Sequence, residues 1–129
     1  KRNAELAMRL DRRIAQAKGE LQRLQGAAGD YVDGKREGAW SFWYENGRKW
    51  KEGRYDGGRM VGRWTAWHDN GQKAQEGELE AGRRVGLWTY WHDNGQKKVE
   101  GVYKEGKPVF RKFWNRSGVE VATEAEADK

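Results

Sequence analysis

Few side chains in this 129-residue chain are of types that could do chemistry. They are two histidines, His68 and His92, two serines, Ser41 and Ser117, and a recurring carboxylate at Glu52, Glu76 and Glu100. Histidines could ligate a metal, a serine beside one could act as nucleophile, and paired carboxylates could share acid and base work. The spacing argues against each. His68 and His92 are 24 residues apart, each one residue before an Asp-Asn-Gly turn. Stacked hairpins would hold them about 9.5 Å apart, too far to share one ion at zinc's ~2 Å ligand distances. They read as copied, solvated residues flanking turns. The serines lie far from either histidine in the repeat frame, and the glutamates read as a cross-strand ion-pair ladder beside basic neighbours. There is no cysteine, so thiolate chemistry, disulfides and Cys-ligated zinc are excluded. The glycines follow no phosphate-loop pattern. The expectation is a protein that is not an enzyme and needs no cofactor or metal.

The elements around these residues repeat. Glycines recur at Gly29, Gly53, Gly77 and Gly101, and again at Gly34, Gly58, Gly82 and Gly106. Further copies fall at Gly38, Gly62 and Gly86 and at Gly47, Gly71 and Gly95. Tryptophans follow at Trp40, Trp64 and Trp88, then at Trp43, Trp67 and Trp91. The last block departs: Phe110, Phe113 and Trp114 fill the aromatic zone, and Ser117-Gly118 replaces Asn-Gly, as in a degenerate capping copy. Four tandem repeats span 29–52, 53–76, 77–100 and 101–121.

Asn46-Gly47, Asn70-Gly71 and Asn94-Gly95 sit between extended-looking segments, which predicts hairpins with type I′ turns. Such turns would set Trp43 opposite Trp50, Trp67 opposite Ala74 and Trp91 opposite Lys98. They would also set Trp40, Trp64 and Trp88 opposite Gly53, Gly77 and Gly101. Alternating Trp and Gly along one row leaves each indole a trough, provided the links between repeats keep the same register. Trp64 and Trp67 differ by an odd number, so both faces should carry aromatics. The predicted fold is mainly β: a single elongated, twisted antiparallel sheet of tandem hairpins, about eight strands, with an N-terminal α-helix.

That helix is expected over 1–28, where Ala7, Leu10, Ile14, Ala17, Leu21 and Leu24 keep helical spacing between a cap at Asn3 and a stop at Gly26. It could lie on its own sheet, form a short coiled coil with a partner or second copy, or act as a basic membrane helix. Residues 122–129 read as an acidic flexible tail. The hydrophobic fraction is 36% and mean hydropathy −1.20, yet eight tryptophans and a single proline favour folding by burial of a few large rings. Net charge is +6, with 18 basic and 14 acidic side chains in the repeats, which suits an acidic protein or an anionic surface better than a dense nucleic-acid platform. No apolar run approaches the ~18 residues of a membrane span. No signal peptide is visible, although the chain begins at Lys1 and an export signal could have preceded it. The compartment stays open, with the cytoplasm favoured.

The run from Gly53 to Gln72 carries Gly53-Arg54-Tyr55, a glycine loop at Gly57-Gly58, Gly62-Arg63-Trp64 with Trp67, then Asn70-Gly71. It resembles a MORN repeat in the bacterial variant form, and the resemblance covers 29 to about 118. Leu79 departs where the other blocks have Tyr31, Tyr55 and Tyr103. The resemblance implies a single open sheet of hairpins. It also implies one of two roles: an antitoxin or immunity component of the YwqK type that acts by binding, or a scaffold at membranes and anionic lipids.

Two repeating surfaces are candidate binding sites. One is aromatic: Trp40, Trp43, Trp64, Trp67, Trp88, Trp91 and Tyr90. The other is a basic row on the inter-repeat loops: Lys35, Arg36, Arg59, Arg83, Arg84 and Lys107. The expected function is non-enzymatic binding of a protein partner, a toxin or other effector, in an antitoxin-like manner. The alternative is a membrane-associated scaffold holding anionic headgroups through the basic loops. Self-association through the N-terminal helix stays open. Nucleic acid is disfavoured, because the acidic side chains would repel phosphate.

Overall fold

A computed structural model of the chain describes residues 24–129. Nine strands form one antiparallel sheet in which each strand pairs with its neighbours in sequence. They are β1 (Leu24–Val32), β2 (Lys35–Tyr44), β3 (Lys49–Asp56), β4 (Arg59–Trp67), β5 (Lys73–Glu80), β6 (Arg83–Trp91), β7 (Lys97–Lys104), β8 (Lys107–Trp114) and β9 (Glu120–Val121). The sheet is open, as the repeats predict. The predicted helix over 1–28 is contradicted at its C-terminal end. Leu24 to Ala28 belong to β1, with Gly26 opposite Trp43 and Ala27 opposite Phe42. The small residues of this segment fit beside the rings of β2, and ladder hydrogen bonds replace the helical ones that Leu24's spacing suggested. The remainder of that helix, 1–23, lies outside the described residues.

The type I′ turns expected at the Asn-Gly ends lie instead at the other hairpin ends. Type I′ turns occur between repeats, at Asp33-Gly34, Gly57-Gly58, Ala81-Gly82 and Glu105-Gly106, where both central residues have positive φ. At the Asn-Gly end only the glycine does: Gly47, Gly71 and Gly95 lie at φ 85°, 91° and 89°. There the Gly47 amide donates to the Tyr44 carbonyl (3.0 Å) and the Tyr44 amide to the Arg48 carbonyl (2.8 Å). This is a three-residue loop, a type I turn closed by a glycine bulge. The loop's third residue moves Trp43, Trp67 and Trp91 opposite Lys49, Lys73 and Lys97, one place from expectation. A bulge at Trp50, Ala74 or Lys98 then restores the register, so Trp40, Trp64 and Trp88 do pair with Gly53, Gly77 and Gly101.

Ala81 holds φ 49° in one of the type I′ turns, a left-handed conformation that costs an L-residue about 1–2 kcal/mol. Asn tolerates that position better. Ala81→Asn is expected to stabilise the chain by about 0.5–1 kcal/mol, read as a higher urea midpoint at unchanged slope.

Between repeats the register is not continuous. Glu52 pairs with Thr65 but Arg54 with Val61, so Gly62, Arg63 and Trp64 together oppose Gly53. The same irregularity recurs at Gly29 and Gly77. Because the offset is two residues, the faces are preserved. The bulge, with Gly62 at φ 70°, also folds the indole back across the preceding strand. The core is therefore a row of side chains on one sheet face, the rings of Trp40, Phe42, Tyr55, Trp64 and Trp88 with Leu79 among them.

At the C-terminal end a second cluster forms. Ala127, fully buried, packs on Val99 and Phe113. The segment from Ala122, expected as a flexible acidic tail, thus carries a helical turn at Glu124–Ala127, capped by Thr123 and tied down by a Lys98–Asp128 ion pair of 2.5 Å.

Candidate binding face

The face that holds the core also carries three cations laid over its rings. Its floor is three tryptophans, Trp40, Trp64 and Trp88, at 1%, 4% and 3% exposure. Each indole lies on the glycine of the preceding strand, Gly29, Gly53 or Gly77, where a Cβ would sit about 2 Å from ring atoms. Each Nε1 donates to the carbonyl just after that glycine: Asp30 (3.0 Å), Arg54 (3.1 Å) and Glu78 (2.8 Å). Edge-on tyrosines fence the rings, with Tyr31 5.2 Å from Trp40 and Tyr55 5.2 Å from Trp64.

Over this floor lie Arg36, 4.8 Å from the Trp40 ring, Lys51, 4.4 Å from Trp50 and 4.9 Å from Phe42, and Arg84, 5.3 Å from Trp88. Cations over indole faces are attracted by the ring quadrupole, the more so when desolvated. Burial, and then the Arg36 charge, lower the Lys51 ammonium below its usual range. Burial pushes the Tyr90 phenol up to about 12, against the opposing pull of Arg84.

The repeats are not equal along this face. Successive copies place Arg36, Met60 and Arg84 in one slot, Phe42, Ala66 and Tyr90 in a second, and Lys51, Gln75 and Val99 in a third. The second repeat thus has a thioether where its neighbours have guanidinium groups, and a methyl where they have rings. A hollow of about 430 Å³ results, floored by Trp64, Ala66 and Leu79 and edged by Lys51, Met60 and Arg84.

The opposite face is polar. Trp43, Trp67 and Trp91 point to it, half-buried, three residues on from the core indoles. The Lys73 ammonium lies 5.9 Å from the Trp91 ring, and that of Lys97 5.4 Å from Trp114. The glutamate ladder is here, though its ion pairs run mainly along single strands: Lys49–Glu52 (2.5 Å), Lys73–Glu76 (3.1 Å) and Lys97–Glu100 (3.0 Å). Glu76 alone also takes Arg63 at 3.0 Å and the Thr65 hydroxyl at 3.0 Å from the adjoining strand. Its burial pushes its carboxyl up, but the bonds from Lys73 and Thr65 and the charges of Lys73 and Arg63 together outweigh this and hold it below the ordinary 4.5. A lowered carboxyl contributes stability that is present above its unfolded value and lost as pH falls through the folded one. Glu76→Gln is therefore expected to cost about 1–2 kcal/mol at neutral pH. Urea midpoints of variant and parent should converge as pH falls below 4.5.

The two surfaces expected from sequence are partly one and partly split. Arg36 and Arg84 join Trp40, Trp64, Trp88 and Tyr90 on the aromatic face, whereas Trp43, Trp67 and Trp91 leave it. Lys35, Arg59, Arg83 and Lys107 stay exposed, each immediately after a type I′ turn. Arg59 pairs across its turn with Asp56, and Arg83 with Glu80. Leu79 was marked in the sequence only as a departure from the tyrosine of its slot; Lys51, Met60, Ala66 and Gln75 were not singled out, and their one sequence signal is that each differs from the residues its slot carries in the other copies.

The histidines are not the solvated flankers expected. His92 is 5% exposed, and its Nε2 lies 2.9 Å from the Trp114 carbonyl. His68 Nε2 meets the Trp91 carbonyl at 2.9 Å, and the Tyr44 hydroxyl donates to the Trp67 carbonyl at 2.6 Å from the same slot. Asn46, Asn70 and Asn94 reach the next turn in the same way, donating to the carbonyls of Asp69, Asp93 and Arg116. These side chains staple one turn to the next. Among the described residues, no three His, Cys, Asp or Glu side chains are grouped to hold a metal ion.

The family described as the MORN repeat variant matches residues 36–56, 60–80 and 84–105. No curated protein matches the chain significantly.

Proposed function

Since the chain carries three tandem MORN repeats of the variant type, modules that bind proteins and membranes, we propose that it binds a protein partner through its aromatic face and performs no chemistry on it. The observation that carries this reading is the layering of that face. Arg36, Lys51 and Arg84 lie on a floor of buried rings, with Tyr90 half-buried beside them. Arg and aromatic side chains packed over buried rings are the types that anchor protein interfaces. The buried indoles position this layer. An antitoxin-like inhibitor would work in this way, holding its target by contact alone.

The alternative, anionic lipid held by the basic loops, gains less support. Two of the exposed turn cations, Arg59 and Arg83, are faced by carboxylates across their turns. Isolation of the full chain from its native host, with identification and reconstitution of what copurifies, tests the choice. A stoichiometric protein complex that persists from about 0.15 M to 0.5 M salt is expected, since buried contacts are screened little. Binding to phosphatidylserine vesicles that vanishes over the same range, with no protein complex, would overturn the proposal.

A further inference from the structure

We propose that the hollow in the second repeat is an anchor pocket for an acidic peptide segment of the partner. One apolar side chain of that segment would enter over Trp64, Ala66 and Leu79, while flanking carboxylates meet Lys51 on one side and Arg83 and Arg84 on the other. The proposal rests on the protein-binding reading and names where and what the face would bind.

Three observations carry it. The hollow is a local departure from the repeat: Ala66 stands where the neighbouring copies have Phe42 and Tyr90, and Met60 where they have Arg36 and Arg84. An unbroken repeat would fill the space. Its size, about 430 Å³, is that of a site taking a bulky side chain. Its lining charge is one-sided, for Lys51, Arg83 and Arg84 line it and no carboxylate does; the Glu80 that pairs with Arg83 across the turn lies outside the lining. An apolar floor with cations at both ends is complementary to an apolar residue between acids, and like charge is repelled. The rim is also open to a chain. Gly82 lines one end, and a Cβ there would meet nothing within 4 Å, so backbone can cross at that point. Met60, with its flexible thioether, can adapt to the entering side chain.

The test is selection of a random short-peptide display library on the immobilised full chain, followed by synthesis of the consensus peptide and titration by fluorescence polarisation. The expected consensus is one aromatic or large aliphatic residue flanked by Asp or Glu. Ala66→Phe, which installs the first repeat's residue, should weaken binding of that peptide at least about tenfold. Lys51→Gln combined with Arg83→Gln should weaken it to a similar degree. A thermal melt checks that Ala66→Phe folds; should it not, Met60→Arg, the residue of both neighbouring copies, closes the hollow instead. A consensus lacking either the acids or the apolar residue overturns the proposal, as does unchanged affinity when the hollow is filled. If a host partner is isolated and still binds Ala66→Phe as it binds the parent, the hollow fails while the protein-binding reading stands. If neither peptide nor host protein binds, both fall.

Discussion

Gly77→Ala is expected to cost about 3–5 kcal/mol, enough to remove most of the stability of a small domain. The added Cβ would lie 2.2 Å from Trp88 Cδ2 and 2.3 Å from Cε2, distances no real carbon occupies. The ring cannot step aside cheaply. Its Nε1 is bonded to the Glu78 carbonyl at 2.8 Å, Tyr90 stacks against it at 6.2 Å, and Arg84 lies over it at 5.3 Å. Displacing it forfeits that hydrogen bond and most of the ring's burial together. The gain from replacing glycine in a strand, about 0.5–1 kcal/mol, does not offset this. Gly101→Ala is the control. It occupies the same slot one repeat later, but position 112 is Lys rather than Trp, and its Cβ would approach only Arg111 Cγ (3.0 Å), Tyr103 Cε1 (3.2 Å) and a backbone oxygen (3.3 Å). Flexible side chains give way there, so a cost of about 1 kcal/mol or less is expected. Urea denaturation of the two variants checks the pair; equal losses would refute the account of the glycine row.

Trp64→Ala is expected to destabilise by about 3–5 kcal/mol, and Trp67→Ala by about 1–2. The two residues are of one type in one strand, and hydropathy ranks them alike. Trp64 is 4% exposed, lies on Gly53, bonds to Arg54 and stands 5.2 Å from Tyr55, so its removal opens the central core. Trp67 is half-buried on the polar face. Denaturation midpoints together with near-ultraviolet dichroism separate the two. If Trp67→Ala lost as much as Trp64→Ala, both faces would carry the core and the assignment of a single core face would be wrong.

Much of the architecture was legible in the residues. Glycine and tryptophan recurring at one spacing announce a repeat, and their alternation implies room for the rings beside glycine; that Trp64 lies on Gly53 and Trp88 on Gly77 comes through a bulge, not through the continuous register the sequence suggested. The turn at Asn70-Gly71 was misread because its own two residues do not decide its class. Asn70 Nδ2 donates to the Asp93 carbonyl at 2.7 Å while its Oδ1 accepts the Gln72 amide at 2.9 Å. The first of these contacts reaches into the next repeat and favours the three-residue loop. His92 was misread for the same reason: the carbonyl it meets belongs to Trp114, and its burial depends on the whole stack.

By itself, the sequence determined the period, the hairpin unit, the coupling of each indole to a glycine and the failing of the pattern in the last copy. Those rest on backbone permissions and ring sizes, which act within a residue or between strands a turn apart. Only the tertiary structure decided which indoles are core, that Arg36 and Arg84 lie over rings rather than beside the loops, and that Met60, Ala66 and Leu79 enclose a hollow. Those depend on bulges that carry a side chain across the neighbouring strand, and on space left by residues that are distant in the chain. Missing volume has no letter of its own, and it exists only once the strands are assembled.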